Sequence, residues 1–533
     1  MSDSPVGGDA RTSGSTRAAA PAASEPTAQE RRSDIRFLLL AVAVCLVLRF
    51  PGFLWPLTPD EAGFLLVARN WTPEPLNPFG FYWVDRPPTL IGLYKAADML
   101  GGSYMPRVFS AALAAVLVVA AHRTSRLIGG QSAARWATVA TVALVSNPEL
   151  SAWAGKGEML AIPFVMVSCW LSLESLQRPH TWRGLALACG AGTTAVLALG
   201  MKQNLVGGLV FGAVVLASSR WSRRLSRPEA LGLAGSALAG AALPIVAVGY
   251  WAARNGVHLS TLWEMNYAFR SDAFGVITQA SMEAPLARAG ELSWLFIETG
   301  LVAILAMFLV SLRRAALHHR SVTLAVLVMW LVDIIGVVLG GNYWTSYLIP
   351  VIPAAALSVA LIAGAEGCQG RLMRVIVVVT SLLITYWLVS YTISRTIGDA
   401  GPTAYHAGLA IREVAQPDDT ILPLYGRADI VEASGLRAPY RYLWSLPART
   451  LDPQLAEMRA VLVSSEAPTW VVEWIPVNFW NIDQGGRLQT LLDTRYVDVG
   501  ELCGATIWRL REAARPALPV IDCDETWLEI QTH

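Results

Sequence analysis

Two adjacent carboxylates, Asp60 and Glu61, stand where a long apolar stretch gives way to a charged loop. A carboxylate at a membrane surface has to be solvated or paired, and it can act as a general base. The same run also has the form of a helix start, with Thr58 as cap, Pro59 at the first position and both acids in the first turn. The two interpretations are compatible, and both stay open.

A second charged group, Asp85-Arg86, precedes the double proline Pro87-Pro88. The guanidinium of Arg86 is a bidentate donor suited to a phosphate, and Asp85 can orient it. The two prolines favour an extended entry into the next segment. The structural alternative is an interfacial anchor in which Arg86 snorkels towards water.

Further polar residues occur where other apolar stretches begin or end. Lys156 and Glu158 open one stretch, Lys202 separates two others, and Tyr343 and Tyr347 open another. Taken singly, each is explained by ordinary flanking charge or by an interfacial aromatic belt. The positive-charge distribution predicts that all of these residues lie on one side of the membrane. We therefore favour the hypothesis that they share a cavity with the two charged groups.

The composition places the chain in a membrane. Of its 533 residues, 54% are hydrophobic and 15% are charged, and the mean hydropathy is +0.44. Soluble domains carry roughly 25% charged residues, so this chain has too little charge to cover a water-facing surface of its size. The net charge of +1 argues against a nucleic-acid partner. The six cysteines show no C-x-x-C spacing, which gives no sign of a zinc ribbon or a redox pair.

A membrane helix needs about 20 apolar residues, and the hydropathy pattern predicts about eleven spans. Residues 1–33 are rich in Ala, Ser, Pro and Gly, and we expect a disordered tail rather than a signal peptide. The candidate spans begin near Ile35, Met105, Ala134, Gly157, Gly184, Leu205, Ala230, Leu292, Ser321, Tyr343 and Met373.

The distribution of positive charge predicts the orientation in the plasma membrane. With eleven spans every basic connection falls on one side, which should be cytoplasmic. The amino terminus is then cytoplasmic, and the carboxyl terminus and the charged loop at Asp60 are extracytoplasmic. The basic connections are Arg31/Arg32/Arg36, His122/Arg123/Arg126/Arg135, Arg178/His180/Arg183, Arg220/Arg223/Arg224/Arg227, Arg313/Arg314/His318/His319/Arg320 and Arg371/Arg374.

Residues 394–533 have the pattern of a small extracytoplasmic α/β domain, separated by turns such as Pro417-Asp418-Asp419 and Gly485-Gly486. Cys503 and Cys523 would lie in an oxidising compartment, where a disulfide between them is possible but not fixed by spacing. The pattern consists of a helix at Tyr405–Val414 and apolar runs at Thr420–Leu424, Val461–Val463, Trp470–Ile475 and Thr506–Leu510.

These features together resemble the GT-C superfamily, in the group of protein O-mannosyltransferases and lipid A aminoarabinose transferases. The resemblance covers roughly the first 360 residues. It departs from the family where Arg86 replaces a frequent lysine and Glu158 a common aspartate. The matching elements are Asp60-Glu61, Tyr82 with Asp85-Arg86-Pro87-Pro88, Glu158, and Tyr343 with Tyr347 and Pro350.

The resemblance implies a membrane all-α catalytic domain over residues 34–393 and a sugar donor carried on a polyprenyl phosphate. It implies that Asp60 is the base and that the acceptor is an extracytoplasmic glycan, lipid or protein. A divalent ion, Mg²⁺ or Mn²⁺, is compatible with the acids but not demanded by them. The implied roles are phosphate binding by Arg86, Lys156 and Lys202, positioning of sugar, arginine or metal by Glu61, Asp85 and Glu158, and acceptor or lipid contact by Tyr82, Tyr343 and Tyr347.

Two alternatives come from other functional classes. A transporter or lipid flippase would use internal repeats and buried charges along a path, and Asp333 is the clearest charged residue within a span. A non-catalytic scaffold would use its outer domain to bind a partner. The clustering of polar groups at one membrane face favours an interfacial enzyme over both.

Overall fold

The computed structural model describes residues 27–279, 282–398 and 403–523, and its first part is a bundle of helices. Up to Gly398, most of the described residues lie in helices. The helices are α1 Ala28–Arg49, α2 Pro59–Arg69, α3 Pro88–Gly101, α4 Met105–Val145, α5 Gly157–Leu176, α6 Trp182–Met201, α7 Gly207–Trp221, α8 Arg227–Arg254, α9 Leu259–Trp263, α10 Phe269–Gln279, α11 Glu283–Glu298, α12 Leu301–Val310, α13 Leu312–Leu339, α14 Ile352–Ala363 and α15 Cys368–Ile393.

The predicted count of eleven spans is not confirmed. Within the described ranges, eight helices are long and apolar enough to cross a membrane, or nine if α11 and α12, bent by 64°, form one span. The two predicted spans from Met105 and Ala134 both lie in α4. This helix is broken between them, at Gly129 and Gly130. Gly130 has a φ of 72°, which glycine adopts without strain. Helix α7 has 15 residues, fewer than a membrane usually requires.

The first helix begins earlier than the predicted tail boundary at residue 33. Thr27 accepts a hydrogen bond from the backbone N–H of Glu30, and the Glu30 side chain accepts from the backbone of Thr27. This reciprocal capping box satisfies the exposed donors of the first turn, so α1 starts at Ala28. The rest of the predicted tail, residues 1–26, lies outside the described residues.

The carboxyl-terminal part contains a four-stranded mixed sheet flanked by helices. The strand order is β1-β2-β4-β3; β1 and β2 are parallel, and the other two pairs are antiparallel. Its elements are α16 Thr403–Val414, β1 Ile421–Pro423, α17 Ala428–Ser434, α18 Ser445–Leu451, α19 Ala456–Val463, β2 Trp470–Glu473, α20 Arg487–Arg495, β3 Tyr496–Leu502 and β4 Ala505–Leu510.

Two details of this part differ from the sequence pattern. The apolar run Val461–Val463 is the end of helix α19 rather than a strand. Strand β3 was not predicted, because it is an edge strand with mostly exposed or half-buried positions and charged residues such as Asp498 and Glu501. A disulfide joins Cys503 to Cys523, so the pairing that spacing left open is present.

The centre of the bundle is α14, all of whose residues are buried. One continuous apolar core extends from this helix to α2 and into the carboxyl-terminal part, where Ile421 and Trp470 belong to it. The sheet region therefore rests on the outer helices as a packed layer. Tyr82 takes part in this contact, because its hydroxyl donates to the carbonyl of Ala438 at 3.3 Å and accepts from its N–H at 3.2 Å.

A buried ion pair fixes helix α2 against the amino-terminal end of α4. Glu61 and Arg107 are 0% and 2% exposed, and Arg107 Nη2 lies 2.9 Å from Glu61 Oε2. Arg107 also donates to the carbonyls of Gly52, Trp55 and Pro56, in the connection between α1 and α2. One side chain thus holds three consecutive segments together.

We expect Glu61→Gln to destabilise the chain strongly, because it leaves the buried guanidinium of Arg107 without a counter-charge. Removing one partner of a buried ion pair typically costs about 3–5 kcal/mol. The measurement is thermal unfolding of the purified chain in detergent, with Glu74→Gln in the exposed loop as matched control. Equal unfolding temperatures for the two variants would contradict the role given to this pair.

Candidate active site

Helix α2 begins as the sequence predicted and carries Asp60 at its outer end. Thr58 is the cap, its hydroxyl accepts from the N–H of Glu61 at 3.4 Å, and Pro59 occupies the first turn. The carboxylate of Asp60 is half-buried, and its Oδ1 accepts a hydrogen bond from Trp444 Nε1 at 3.2 Å. Asp60 therefore lies in the first turn of a helix and also keeps part of its carboxylate accessible.

Trp444 belongs to the carboxyl-terminal part, and a glycine makes room for it. A Cβ at Gly63 would lie 2.2 Å from the indole of Trp444. The indole also packs on Phe64, with 5.5 Å between ring centroids. Because Gly63 has no side chain, the indole of Trp444 can approach Asp60.

Glu61 has a different environment from its neighbour. Oε1 accepts from Arg107 and from the N–H of Gly155 at 2.7 Å, and Oε2 accepts from Arg107 and Thr58. Burial alone would raise the pKa of Glu61, but the charge and hydrogen bonds of Arg107 outweigh it and lower the pKa. Glu61 is therefore an ionised structural group that orients Arg107, with no free oxygen for a sugar or a metal.

Asp85 lies between two arginines. Its Oδ1 is 2.6 Å from Arg86 Nη1, and its Oδ2 is 2.5 Å from Arg270 Nη2. Gln203 Nε2 donates to the backbone carbonyl of Asp85 at 3.1 Å and to that of Asn266 at 3.2 Å. The aspartate thus pairs with Arg86 and also with Arg270 of helix α10.

Lys202 completes a group of three cations. Its ammonium pairs with Glu158 Oε1 and lies 4.6 Å from the ring centroid of Tyr347. Ser346 donates a second hydrogen bond to the same oxygen of Glu158, at 3.3 Å. Glu158 therefore holds a lysine, and the aromatic face of Tyr347 adds a cation–π contact.

These cations line one cleft of about 260 Å³ between the ends of the helices and their connections. Polar groups and an apolar wall share its surface, an arrangement that suits a ligand with a charged head and an apolar tail. The polar lining includes Arg86, Lys202, Gln203, Arg270, Asp333 and Tyr347, and the apolar lining includes Leu205, Phe274, Ile277, Val337 and Leu339.

Burial and neighbouring charges shift the pKa values of the cations in the site. Burial would lower the pKa of Arg86, but the negative charges of Asp85, Asp60 and Glu158 more than offset it and raise the pKa. For Lys202, burial lowers the pKa, and Glu158 opposes this only in part. The guanidinium is thus a permanent cation, and the lysine is the more easily discharged of the two.

Of the ten site residues singled out by sequence, only Arg86, Lys202 and Tyr347 line this cleft; the others are Asp60, Glu61, Asp85, Glu158, Lys156, Tyr82 and Tyr343. Lys156 precedes α5 as its cap residue. Tyr82 is 2% exposed and bonded to Ala438, which does not fit contact with an acceptor or a lipid. Tyr343 is half-buried, has a φ of 53° and packs against the core. It precedes the cleft-lining Tyr347 by four residues.

Several residues of the site were missed or misplaced by the sequence analysis. Arg270 was not assigned to the phosphate group, although a cation among loop aromatics could have joined it. Arg107 had a usable signal, since an arginine just inside a predicted span needs a buried partner. Trp444 and Gln203 had none, because their roles depend on contacts between distant segments.

The acidic pair does not form the divalent-cation site that the resemblance allowed. Glu61 uses both carboxylate oxygens on protein donors, which leaves Asp60 as the only free carboxylate of the two. Among the described residues no group of three or more His, Cys, Asp or Glu side chains is arranged to hold a metal ion. We therefore derive no chemical step through a metal.

We expect Gly63→Ala to displace Trp444, because the new methyl would overlap the indole. Overpacking of this kind costs about 1–3 kcal/mol, more than the alanine gains in helix propensity. The matched control is Gly92→Ala in α3, where the nearest atoms lie 3.8 Å from the new Cβ. Unfolding temperature and tryptophan fluorescence should change for the first variant only; a change of the same size in both would refute the packing argument.

Comparison with known proteins bears on the fold. The chain matches no family model and no curated protein sequence. It is similar to ArnT from Cupriavidus metallidurans in the apo state, with a TM-score of 0.61 and 13% identity over 89% of this chain and 98% of that one. ArnT bound to undecaprenyl phosphate gives 0.60 and 15%, over 88% and 97%.

A more distant similarity is to the oligosaccharyltransferase of Archaeoglobus fulgidus in the apo form. Its TM-score is 0.50 at 14% identity, over 84% of this chain and 70% of that one. ArnT, a lipid A aminoarabinose transferase, and this enzyme are both GT-C glycosyltransferases. The chain therefore has the GT-C fold of membrane glycosyltransferases.

Proposed function

We propose that this chain is an integral-membrane glycosyltransferase that moves a sugar from a polyprenyl-phosphate donor to an extracytoplasmic acceptor hydroxyl, with inversion at the sugar carbon. The observation that carries the proposal is the cleft in which Arg86, Lys202 and Arg270 meet above an apolar wall. A similar fold with bound undecaprenyl phosphate supports a lipid phosphate as the donor's carrier.

The three cations suit a leaving phosphate. When the sugar–phosphate bond breaks, the electron pair stays on the phosphate oxygen, and the lipid phosphate gains one negative charge. Fixed cations aimed at that oxygen stabilise the charge as it develops, and the partly desolvated cleft strengthens their effect. Arg86 and Arg270 already share Asp85, so they are positioned before the donor arrives.

Asp60 is the best candidate for the base, because the neighbouring acids are committed to cations. Glu61 pairs with Arg107, Asp85 with two arginines and Glu158 with Lys202. Within the described parts of the chain, Asp60 accepts a hydrogen bond from Trp444 and forms no ion pair. One of its oxygens is thus available to take a proton.

The proposed reaction is a single displacement. Asp60 takes the proton of the acceptor hydroxyl while the acceptor oxygen attacks the anomeric carbon. The new carbon–oxygen bond forms opposite the breaking bond to phosphate, which leaves as polyprenyl phosphate. Because only one displacement occurs, the configuration at the sugar carbon is inverted.

The proposed location is the plasma membrane, with the cleft on the extracytoplasmic side. The positive charges of the opposite connections support this orientation. The donor's prenyl chain remains in the lipid, so its phosphate can be met only at the interface, where the cleft has both polar and apolar lining. The acceptor is a cell-envelope glycan, a glycolipid or a protein.

We expect Asp60→Asn to abolish sugar transfer, because it keeps the size of the side chain and removes the base. Loss of a general base typically lowers the rate by about 10²- to 10⁴-fold. Transfer is measured in membranes with a panel of radiolabelled polyprenyl-phosphate sugars, at matched expression. The control is Glu74→Gln, an exposed acid of the same loop, which should retain wild-type activity.

Two outcomes would change the assignment. Transfer that survives in Asp60→Asn would keep the enzyme and remove Asp60 from its role. Labelled lipid that changes leaflet without any transfer would favour a flippase over a transferase.

The cation cluster gives a second prediction, because Arg270 lines the cleft and Lys156 does not. Arg270→Gln should lower kcat/KM for the donor by about tenfold or more, since a charge-assisted contact to phosphate is worth about 1.5–3 kcal/mol. Lys156→Gln should change kcat/KM by less than about threefold, well under the loss of one such contact. The steady-state rates of the two variants with one donor test this; a larger effect at Lys156 would place the phosphate elsewhere.

A further inference from the structure

A second cavity, of about 320 Å³, opens at the far end of the bundle from Asp60. It lies between the break in α4 at Gly129, the first turns of α13 and α15, and the last turn of α14. Along α4, Gly129 is roughly 33 Å from Arg107 at a rise of about 1.5 Å per residue, close to the thickness of a bilayer core. The cavity therefore faces the opposite membrane surface from the cleft.

One side of this cavity is built to attract an anion. Arg314 lines it and is held by a hydrogen bond from Nη2 to the carbonyl of Glu366, at 2.6 Å. The first turns of α13 and α15 present backbone N–H groups and the positive ends of their helix dipoles. Ser311, 2% exposed, also lines the cavity, and its hydroxyl has no hydrogen-bond partner among the described residues.

Other groups that line the same cavity can attract a cation. Glu366 contributes a carboxylate, and the last turn of α14, from Ala360 to Ile362, presents the carbonyl end of that helix. The buried Oε1 of Gln369 has no donor within the described part of the chain. Within the described residues the cavity thus holds an unmatched hydroxyl, on Ser311, and an unmatched acceptor, Gln369 Oε1.

Exposed apolar residues beside the cavity point to a lipid. Val310 and Leu317 are 74% and 84% exposed, at the end of α12 and in the first segment of α13. Both flank the cavity-lining residues Ser311 and His318 in the sequence. In water these side chains would be costly to expose, whereas in a bilayer they contact acyl chains next to the cavity mouth.

We propose that this cavity binds the headgroup of a phospholipid that carries a primary amine as well as a phosphate. The phosphate lies against Arg314, the hydroxyl of Ser311 and the amino terminus of α13. The ammonium lies against Glu366, Gln369 and the carbonyl end of α14. The proposal is independent of the proposed function, since the cavity and the cleft are at opposite membrane surfaces.

The test is native mass spectrometry of the purified full chain with equal amounts of phosphatidylethanolamine, phosphatidylglycerol and phosphatidylcholine. We expect one phosphatidylethanolamine to be retained in preference to the other two lipids. Arg314→Gln should lower its retention by about tenfold or more, the loss of one charge-assisted contact. The matched control is Arg313→Gln, an exposed neighbour that does not line the cavity, which should behave as wild type.

Glu366→Gln tests the amine separately, because it removes the charge and keeps the size of the side chain. This variant should lose the preference for phosphatidylethanolamine over phosphatidylglycerol while still retaining lipid. Unchanged unfolding temperatures would show that both variants fold. Equal retention of the three lipids by wild type, equal loss in Arg313→Gln, or displacement of the lipid by inorganic phosphate alone would overturn the proposal.

Discussion

The ion pair between Glu61 and Arg107 is the constraint on which the half of the molecule that carries Asp60 depends. A charge enclosed by protein is stable only with its partner, so the pair fixes α2 relative to α4 and to the connection that follows α1. Asp60 is the residue immediately before Glu61 and shares its helix turn. The direction in which Asp60 faces therefore follows from the way its neighbour is buried.

The same principle organises the cleft. Asp85 and Glu158 are each paired with cations that line it, and these acids keep cations concentrated where water is partly excluded. The arrangement leaves positive charge next to an apolar wall. Among the described residues, Asp60 and the cleft-lining Asp333 form no ion pair with a cation. Structural and chemical roles are thus divided among similar residues by burial rather than by residue type.

The sequence predicted the membrane class, the helix start at Asp60 and the position of Arg86 beside Asp85, because hydropathy and capping are local properties. The predicted number of spans is not confirmed, because the glycine break in α4 and the short α7 fit no simple length rule. The structural role of Glu61 and the place of Arg270 in the cleft depend on contacts between segments far apart in the chain. Contacts between distant segments produce no periodic pattern in the sequence from which they could be predicted.

The hydrogen bond between Trp444 and Asp60 joins residues that are 384 positions apart. Biosynthesis is vectorial, so α2 is made and inserted long before Trp444 leaves the ribosome. Asp60 acquires its indole partner only after the carboxyl-terminal part has been made and has packed onto α2. In the orientation proposed here, maturation of the site therefore coincides with completion of export, and a nascent chain still engaged in the membrane lacks a finished site.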